Sequence, residues 1–317
     1  MSDSIQRLEE VAQRLSENIA RVLVGKEHVV RLTLTGLFAG GHLLLEDNPG
    51  TGKTSLAKAL AASISGTVSR IQFTPDLLPG DITGVSIWNQ STGEFEFHAG
   101  PVLANVVLAD EINRASPKTQ SALLEVMQER RVTVDGTSHW APDPFIVLAT
   151  QNPIEQAGTY QLPEAQLDRF ALKTSIGYPD HATLVSILSR MDVTDADDLE
   201  PVTDVAEIRQ LRKAVDEVHA APAIVDYVAR LSEATRRAEE VKLGVSVRGA
   251  MAFLRSARAY AALAGRDFVT PDDVKALAMP SLAHRLLLAP EAEFDGVTAE
   301  TIIQQIVLEA KPPRERQ

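Results

Sequence analysis

The feature that most constrains this chain is the segment at residues 41–56, GHLLLEDNPGTGKTSL, which reads as a short buried strand, a tight loop and the start of a helix. Phosphate binding requires this arrangement. Gly50 and Gly52 let the backbone turn its N–H groups inward, and the helix N-terminus adds the positive end of a dipole. We therefore predict a nucleoside triphosphate site in which Lys53 reaches the β- and γ-phosphates and the Thr54 hydroxyl ligates Mg²⁺.

The segment departs in one place from the pattern G-x-x-x-x-G-K-[ST], because its first position is Asp47. The alternative interpretation is an ordinary surface turn before a helix, where Lys and Thr are common. The order of strand, loop and helix favours the phosphate loop over that alternative.

Apolar segments recur along the first half of the chain with helical or loop segments between them, at residues 42–46, 69–73, 105–111, 145–150 and 172–176. This alternation predicts an α/β fold, with a largely parallel five-stranded sheet flanked by helices. Two polar hairpins are predicted to interrupt it, at residues 85–98 and 131–140.

The composition changes near residue 180, where the strand pattern gives way to amphipathic helices. These are predicted near residues 205–220, 223–240, 247–264, 271–288 and 299–309. No further strand is evident. We therefore predict two domains, an α/β nucleotide-binding domain at residues 1–180 and an all-helical domain at residues 181–317.

Polar side chains end two of the predicted strands. Residues 105–111, NVVLADE, finish in Asp110 and Glu111, and residues 145–152, FIVLATQN, finish in two amides. Ligands of open α/β sheets bind outside this edge, so Asp110 could hold Mg²⁺ through water and Glu111 could act as general base. Gln151 or Asn152 could orient water or contact the γ-phosphate. The alternatives are ordinary acidic residues at a strand end and a turn-forming Asn before a proline.

Charge and composition bear on the class of partner. The formal net charge of −12 argues against a protein that coats nucleic acid non-specifically. The chain has no cysteine, a polar N-terminus and no apolar run of membrane-spanning length. We expect a soluble, cytoplasmic protein with no signal peptide and no membrane span.

Together these motifs resemble those of the MoxR family of AAA+ ATPases, and the likeness covers nearly the whole chain in order. The segments that carry it are EDNPGTGKT at 46–54, LADEINRA at 108–115, ATQNP at 149–153, LPEAQLDRF at 162–170 and GVSVRGA at 244–250. Asp47 agrees with this resemblance, because MoxR-like loops often lack the first glycine. Val247 departs from it mildly, since such proteins often have proline there.

The resemblance implies roles for three further residues. Asn152 resembles sensor 1, and Arg169 resembles the arginine finger that completes a neighbouring subunit's site. Arg248 resembles sensor 2, acting on its own nucleotide or on a neighbour's. The alternative for Arg169 is an ordinary surface arginine paired with Glu164 or Asp168.

The resemblance also assigns Val24 and Gly25 to the adenine, although a plain turn between helices would explain them as well. The catalytic residues are then Glu111, Asn152, Arg169 and Arg248, and the metal ligands are Thr54 and Asp110. The residues assigned to the nucleotide are Val24, Gly25, Asn48, Pro49, Gly50, Thr51, Gly52, Lys53, Thr54, Ser55 and Asp110.

The function implied is ATP hydrolysis with Mg²⁺ in a homo-oligomer, a hexameric ring, coupled to chaperone-like remodelling, activation or cofactor insertion of a partner protein. Family members commonly act with von Willebrand factor A domain proteins. In relatives the two hairpins face the pore or the target, so Trp88, Phe95 and Phe97 could grip a client or pack on their own sheet. The alternative function is a nucleic-acid-associated AAA+ motor or loader, which the net charge disfavours.

Overall fold

A computed structural model describes residues 3–152, 160–189 and 194–313. Pro153, the last residue of the ATQNP segment, lies outside the described residues. The α-helices are α1 (Asp3–Ala20), α2 (Glu27–Ala39), α3 (Lys53–Ser63), α4 (Pro79–Thr83), α5 (Pro117–Glu129), α6 (Glu164–Leu167), α7 (His181–Ser189), α8 (Val205–Glu217), α9 (Pro222–Arg237), α10 (Val247–Ala262), α11 (Pro271–Leu282), α12 (Pro290–Phe294) and α13 (Ala299–Glu309). The strands are β1 (Leu43–Glu46), β2 (Val68–Gln72), β3 (Gly84–Asn89), β4 (Glu94–Ala99), β5 (Val106–Asp110), β6 (Arg131–Val134), β7 (Thr137–Trp140), β8 (Ile146–Gln151), β9 (Leu172–Thr174), β10 (Val241–Leu243) and β11 (Leu287–Leu288).

Five strands form one parallel sheet in the order β2-β5-β8-β1-β9, so the predicted parallel sheet is confirmed. The three central strands, β5, β8 and β1, are strongly apolar because helices cover both faces of the sheet. Successive side chains point to opposite faces, and the core divides accordingly. Leu43 and Leu45 pack with α1, α2, α3 and the C-terminal helices, whereas Leu44 packs on the opposite side with residues of α5.

The strand register brings the polar ends together. Gln72 of β2 pairs with Asp110 of β5, Ala109 of β5 pairs with Ala149 of β8, and Leu45 of β1 pairs with Thr150 of β8. The ends of β2, β5, β8 and β1 therefore form one row along the carboxyl edge of the sheet. The phosphate loop, which follows β1, lies at the same edge.

Both predicted hairpins form, as β3–β4 and β6–β7. The second half is mainly helical, but the expectation that no strand follows residue 180 was wrong at one place. Val241–Leu243 pairs antiparallel with Leu287–Leu288. Strands of three and two residues are too short to carry a period-2 pattern, which is why the sequence did not indicate them.

Candidate active site

The phosphate loop connects β1 to α3 and turns at two glycines. Gly50 and Gly52 have φ values of 81° and 99°, in the left-handed region where a side chain would be strained. A Cβ atom at Gly50 would meet nothing within 4 Å, so the loop is open on that side. Gly52 precedes α3, and no side chain caps the helix there, which leaves its first N–H groups available to an anion.

Asp47, the residue at which the loop departs from the pattern, has a structural role. Its side chain is buried, and its carboxylate accepts hydrogen bonds from the backbone N–H groups of Ile176 at 2.6 Å and Gly177 at 2.9 Å. These two residues follow β9 at the sheet edge. The carboxylate therefore anchors the start of the loop to the neighbouring strand's exit, a role that glycine could not fill.

Lys53 lies across its own loop. Its Nζ donates to the backbone carbonyl of Asn48 at 2.8 Å and to that of Asp47 at 3.3 Å. These are neutral acceptors, and the ammonium group borders a cavity of about 410 Å³. A phosphate oxygen in that cavity would offer a charged acceptor, and charge-assisted hydrogen bonds are stronger than neutral ones.

We call this space the phosphate-loop cavity, and its lining joins the loop to the row of strand ends. The lining residues are Asp47, Pro49, Gly50, Gly52, Lys53, Thr54, Ser55, Arg70, Gln72, Asp110, Glu111, Thr150, Gln151 and Asn152. Of the residues predicted for the nucleotide, Asn48 and Thr51 are in the loop itself but outside this lining. Both Gln151 and Asn152 border the cavity, so the structure brings both amides to the site.

The two acidic residues after β5 are held in different ways. Asp110 is buried, and its Oδ1 accepts a hydrogen bond from the Thr150 hydroxyl at 2.7 Å. The same hydroxyl oxygen accepts from the backbone N–H of Glu111 at 2.8 Å. Glu111 adopts a left-handed conformation with φ of 56°, which is uncommon for a residue with a side chain. Thr150 thus fixes both residues at the turn.

Basic and amide side chains contact the remaining carboxylate oxygens. An Arg70 NH2 group donates to Asp110 Oδ2 at 2.7 Å and to Gln72 Oε1 at 2.9 Å. Glu111 Oε2 accepts from Gln72 Nε2 at 2.8 Å and from Arg114 at 2.9 Å. Sequence reasoning missed Arg70, Gln72, Arg114 and Thr150. Arg70 and Gln72 are two residues apart, so they share one face of β2. Only the pairing of β2 with β5 places that face beside Asp110 and Glu111.

The donor set of the cavity fits Mg²⁺ bound together with a nucleotide. Thr54 contributes a hydroxyl and Asp110 a carboxylate, both hard oxygen ligands. Within the described residues there is no group of three or more His, Cys, Asp or Glu that could hold a metal by itself. Mg²⁺ usually keeps several waters and binds through one or two protein ligands plus phosphates, which agrees with such a sparse set.

The turn at Val24 and Gly25 lies beside the phosphate loop. A Cβ atom on Gly52 would come within 3.1 Å of the Leu23 side chain, and one on Gly25 within 3.0 Å of the Thr183 side chain in α7. Lys26 donates to the backbone carbonyl of Tyr178 at 2.9 Å. The turn therefore lies between the loop and the start of the helical half, and neither Val24 nor Gly25 is among the lining residues of the phosphate-loop cavity.

Arg169 and Arg248 line a different cavity, of about 540 Å³, which we call the arginine cavity. Its charged lining residues are Arg130, Asp168, Arg169, Arg248, Arg255 and Arg285. It shares no lining residue with the phosphate-loop cavity. Burial, and then the charge of Arg248, lower the pKa of Arg169 below its usual value. The structure thus brings the two predicted arginines together and away from the chain's own phosphate loop.

The alternative pairing of Arg169 with Asp168 does not occur. The Asp168 carboxylate accepts from Arg285 Nε at 2.8 Å and from the Ser246 hydroxyl at 2.7 Å. Arg285 is almost fully buried and also donates to the backbone carbonyl of Phe170 at 2.7 Å. Arg169 forms no ion pair with any described residue, and its Nε has no hydrogen-bond partner there.

The hairpins present aromatic side chains. Trp88 and Phe95 pack edge-to-face across β3–β4 with ring centroids 5.1 Å apart, yet they remain 51% and 69% exposed. Phe97 of the first hairpin stacks on His139 of the second at 3.7 Å. The hairpins are therefore in contact, and the first keeps exposed aromatic surface near its tip.

Comparison with known proteins agrees with the fold. Residues 42–172 match the model of the ATPase family associated with various cellular activities (AAA), and residues 233–306 match the AAA lid domain. The chain is 51% identical to an uncharacterised protein, YeaC, of Bacillus subtilis over 95% of this chain and 94% of that one. It is 42% identical to the chaperone MoxR1 of Mycobacterium tuberculosis, covering 93% of this chain and 80% of the relative. A crystal structure of a provisionally assigned ATPase from Cytophaga hutchinsonii superposes with a TM-score of 0.91 at 36% identity, covering 98% of each chain.

Proposed function

This chain belongs to the MoxR family of AAA+ ATPases, and on that premise we propose that it hydrolyses ATP where two copies meet and uses the energy to remodel a partner protein. ATP hydrolysis itself follows from the family. The observation that supports the finer proposal is the division of the charged groups between two cavities. The phosphate loop, Asp110 and Glu111 line one, and Arg169 and Arg248 line the other.

The chemistry begins in the phosphate-loop cavity. The loop N–H groups and Lys53 bind the β- and γ-phosphates of ATP. Mg²⁺, held by Thr54 and Asp110, would neutralise phosphate charge when it is bound. Glu111 accepts a proton from the attacking water, and Asn152 orients that water. The oxygen bonds to the γ-phosphorus while the bond to the bridging oxygen breaks, which gives ADP and phosphate.

Completion of the site requires a second copy. A guanidinium group stabilises charge on the transferring phosphoryl group, and here the two candidate arginines lie in a cavity of their own. Arg169 and Arg248 therefore act together on a neighbour's nucleotide. A contact between unlike faces of successive copies is head-to-tail, and it closes into a ring when the rotation permits. We propose a hexamer as the size of this ring.

The connection around Asp168 supports transmission of the nucleotide state to the helical half. Asp168 precedes Arg169, and its carboxylate accepts hydrogen bonds from Ser246, the N-cap of α10, and from Arg285, which follows α11. Arg248 lies in the first turn of α10. Movement of the proposed domain at residues 181–317 against that at residues 1–180 would shift Arg248 relative to Arg169. Hydrolysis would in this way alter the contact between successive subunits.

The output proposed is mechanical work on a protein client. The exposed aromatic residues of the hairpins, Trp88 and Phe95, offer a surface for it, and the relative from Mycobacterium tuberculosis is named a chaperone. A von Willebrand factor A domain protein is the partner that kinship suggests, in cofactor insertion or complex maturation. We propose the cytoplasm as the place of action. Among the described residues, no helix combines the length and apolar character needed to cross a bilayer.

Mixing two inactive variants tests the shared site. Glu111→Gln keeps the arginines, and Arg169→Ala keeps the phosphate-loop cavity, so mixed rings contain some complete interfaces and should regain ATP turnover. The matched control mixes Glu111→Gln with Lys53→Ala. Both changes lie in the same cavity, so this mixture should stay inactive. If the first mixture regains no ATP turnover although native mass spectrometry shows mixed rings, the proposal of a site shared between subunits is wrong.

A further inference from the structure

Arg70 stands out because it contacts the carboxylate expected to face Mg²⁺. It lies on β2, the edge strand, and its NH2 group is 2.7 Å from Asp110 Oδ2. The other oxygen of Asp110 accepts from Thr150. Both oxygens of this carboxylate are therefore engaged by protein donors before any ligand binds.

The contacts of Arg70 continue to the proposed general base. Arg70 donates to Gln72 Oε1, and Gln72 Nε2 donates to Glu111 Oε2. A primary amide can bridge in this manner because its oxygen accepts while its nitrogen donates. Arg70, Gln72 and Glu111 thus form one chain of hydrogen bonds, and Arg114 donates to the same oxygen of Glu111 as Gln72 does.

Burial indicates which partner moves. The Asp110 side chain is 11% exposed and is held by Thr150, whereas the Arg70 side chain is 53% exposed. Arg70 can therefore swing into solvent without opening the core. A guanidinium group and a hydrated divalent cation are both positive, so they compete for the same carboxylate oxygen.

We propose that Arg70 is the counter-cation of Asp110 in the nucleotide-free site and that it withdraws when Mg²⁺ and nucleotide bind. The withdrawal breaks the contact between Arg70 and Gln72 and leaves Asp110 Oδ2 open to the hydrated cation. Arg70 is a positioning residue in this scheme. The proposal rests on the proposed function, because it takes the phosphate-loop cavity as the nucleotide site.

The test measures binding and not turnover. A fluorescent, non-hydrolysable ATP analogue is titrated at a series of Mg²⁺ concentrations, and the Mg²⁺ concentration that gives half-maximal binding is compared between variants. Arg70→Gln should lower that concentration by about threefold, the size expected for loss of a half-exposed ion pair. Arg70→Lys keeps the charge but loses the guanidinium contacts to Asp110 and Gln72, so its half-maximal Mg²⁺ concentration should lie between those of the wild type and Arg70→Gln. Arg237→Gln removes an exposed arginine paired with Glu233 on α9 and should leave it unchanged.

The possible outcomes are distinct. An unchanged or raised Mg²⁺ requirement in Arg70→Gln overturns the proposal, and a raised one assigns Arg70 to the nucleotide itself. If Arg70→Gln does not fold, Arg70→Lys decides, because an unchanged or raised requirement in it is equally contrary. If the wild-type protein binds the analogue without any dependence on Mg²⁺, the result contradicts the metal site of the proposed function, and the Arg70 proposal falls with it.

Discussion

The phosphate-loop cavity and the arginine cavity differ in how their charges are balanced. In the first, Lys53 contacts loop carbonyls, Arg70 contacts Asp110, and Arg114 contacts Glu111. In the second, neither Arg169 nor Arg248 has an ion pair with any described residue. Arg169 is half-buried, where an unpaired cation is costly, whereas Arg248 is exposed. The first cavity is therefore balanced internally before a ligand arrives, whereas the second has positive charge available to an anion.

The largest expected effect that tests this difference between the two cavities is at Arg169. Arg169→Ala should lower ATP turnover by about a thousandfold, the usual loss for an arginine finger, and leave ATP affinity unchanged. Turnover is measured by phosphate release and affinity by calorimetry. Arg237→Ala, an exposed arginine on α9, is the control. A fall in ATP affinity in the isolated subunit would mean that Arg169 serves its own nucleotide, and the distinction between the cavities would disappear.

Lys53 should show the opposite behaviour. Lys53→Ala removes a charged hydrogen-bond donor from the phosphates, so ATP affinity should fall by about tenfold to a hundredfold. The neighbour's arginine cavity is untouched by this change. Calorimetry on the purified variant is the measurement, and Lys58→Ala, one turn further along α3, is the control. Unchanged ATP affinity in Lys53→Ala would contradict the assignment of the phosphate loop.

A smaller effect is expected on stability at low pH, and it tests the charge balance of the arginine cavity. His42 lines this cavity, where its Nδ1 accepts from the backbone N–H of Val147 and its Nε2 donates to the backbone carbonyl of Met127. Burial, and then the charge of Arg130, lower the pKa of His42 to about 3. Between pH 3 and 6.5 the unfolded chain binds a proton that the folded chain does not, so stability falls as the pH is lowered through this range.

This contribution is up to about 1.4 kcal/mol per pH unit. The free energy of unfolding is measured by urea titration at pH 7, 6 and 5. His42→Gln should reduce its slope with pH, and His98→Gln on the exposed first hairpin should not. Equal slopes in the wild type and His42→Gln would show that the cavity tolerates one more positive charge.

Much of the fold could be predicted because the information is local. The central sheet strands are short apolar runs, and the longer helices of the second half show a 3.6-residue period, several of them with a cap such as Ser246 or Thr270. The phosphate loop is a contiguous motif, and its residues could be named directly. The β10–β11 pair was missed because it joins segments about 45 residues apart that have no pattern of their own.

The site could be predicted only where its residues follow one another in the chain. Arg70 and Gln72 become neighbours of Asp110 and Glu111 through strand order, which a single sequence does not specify. The role of Asp47 depends on N–H groups about 130 residues away. The grouping of Arg248 with Arg169 likewise depends on how α10 packs against the segment before β9, so the sequence left its partner open.

The stacking of Phe97 on His139 has a mechanical consequence. The two hairpins leave the α/β core at different points of the chain, and the ring contact fastens them near the middle of the first one. A force applied near Trp88, at the tip of the first hairpin, is therefore borne by both hairpins. Without that contact, each hairpin could bend independently of the other.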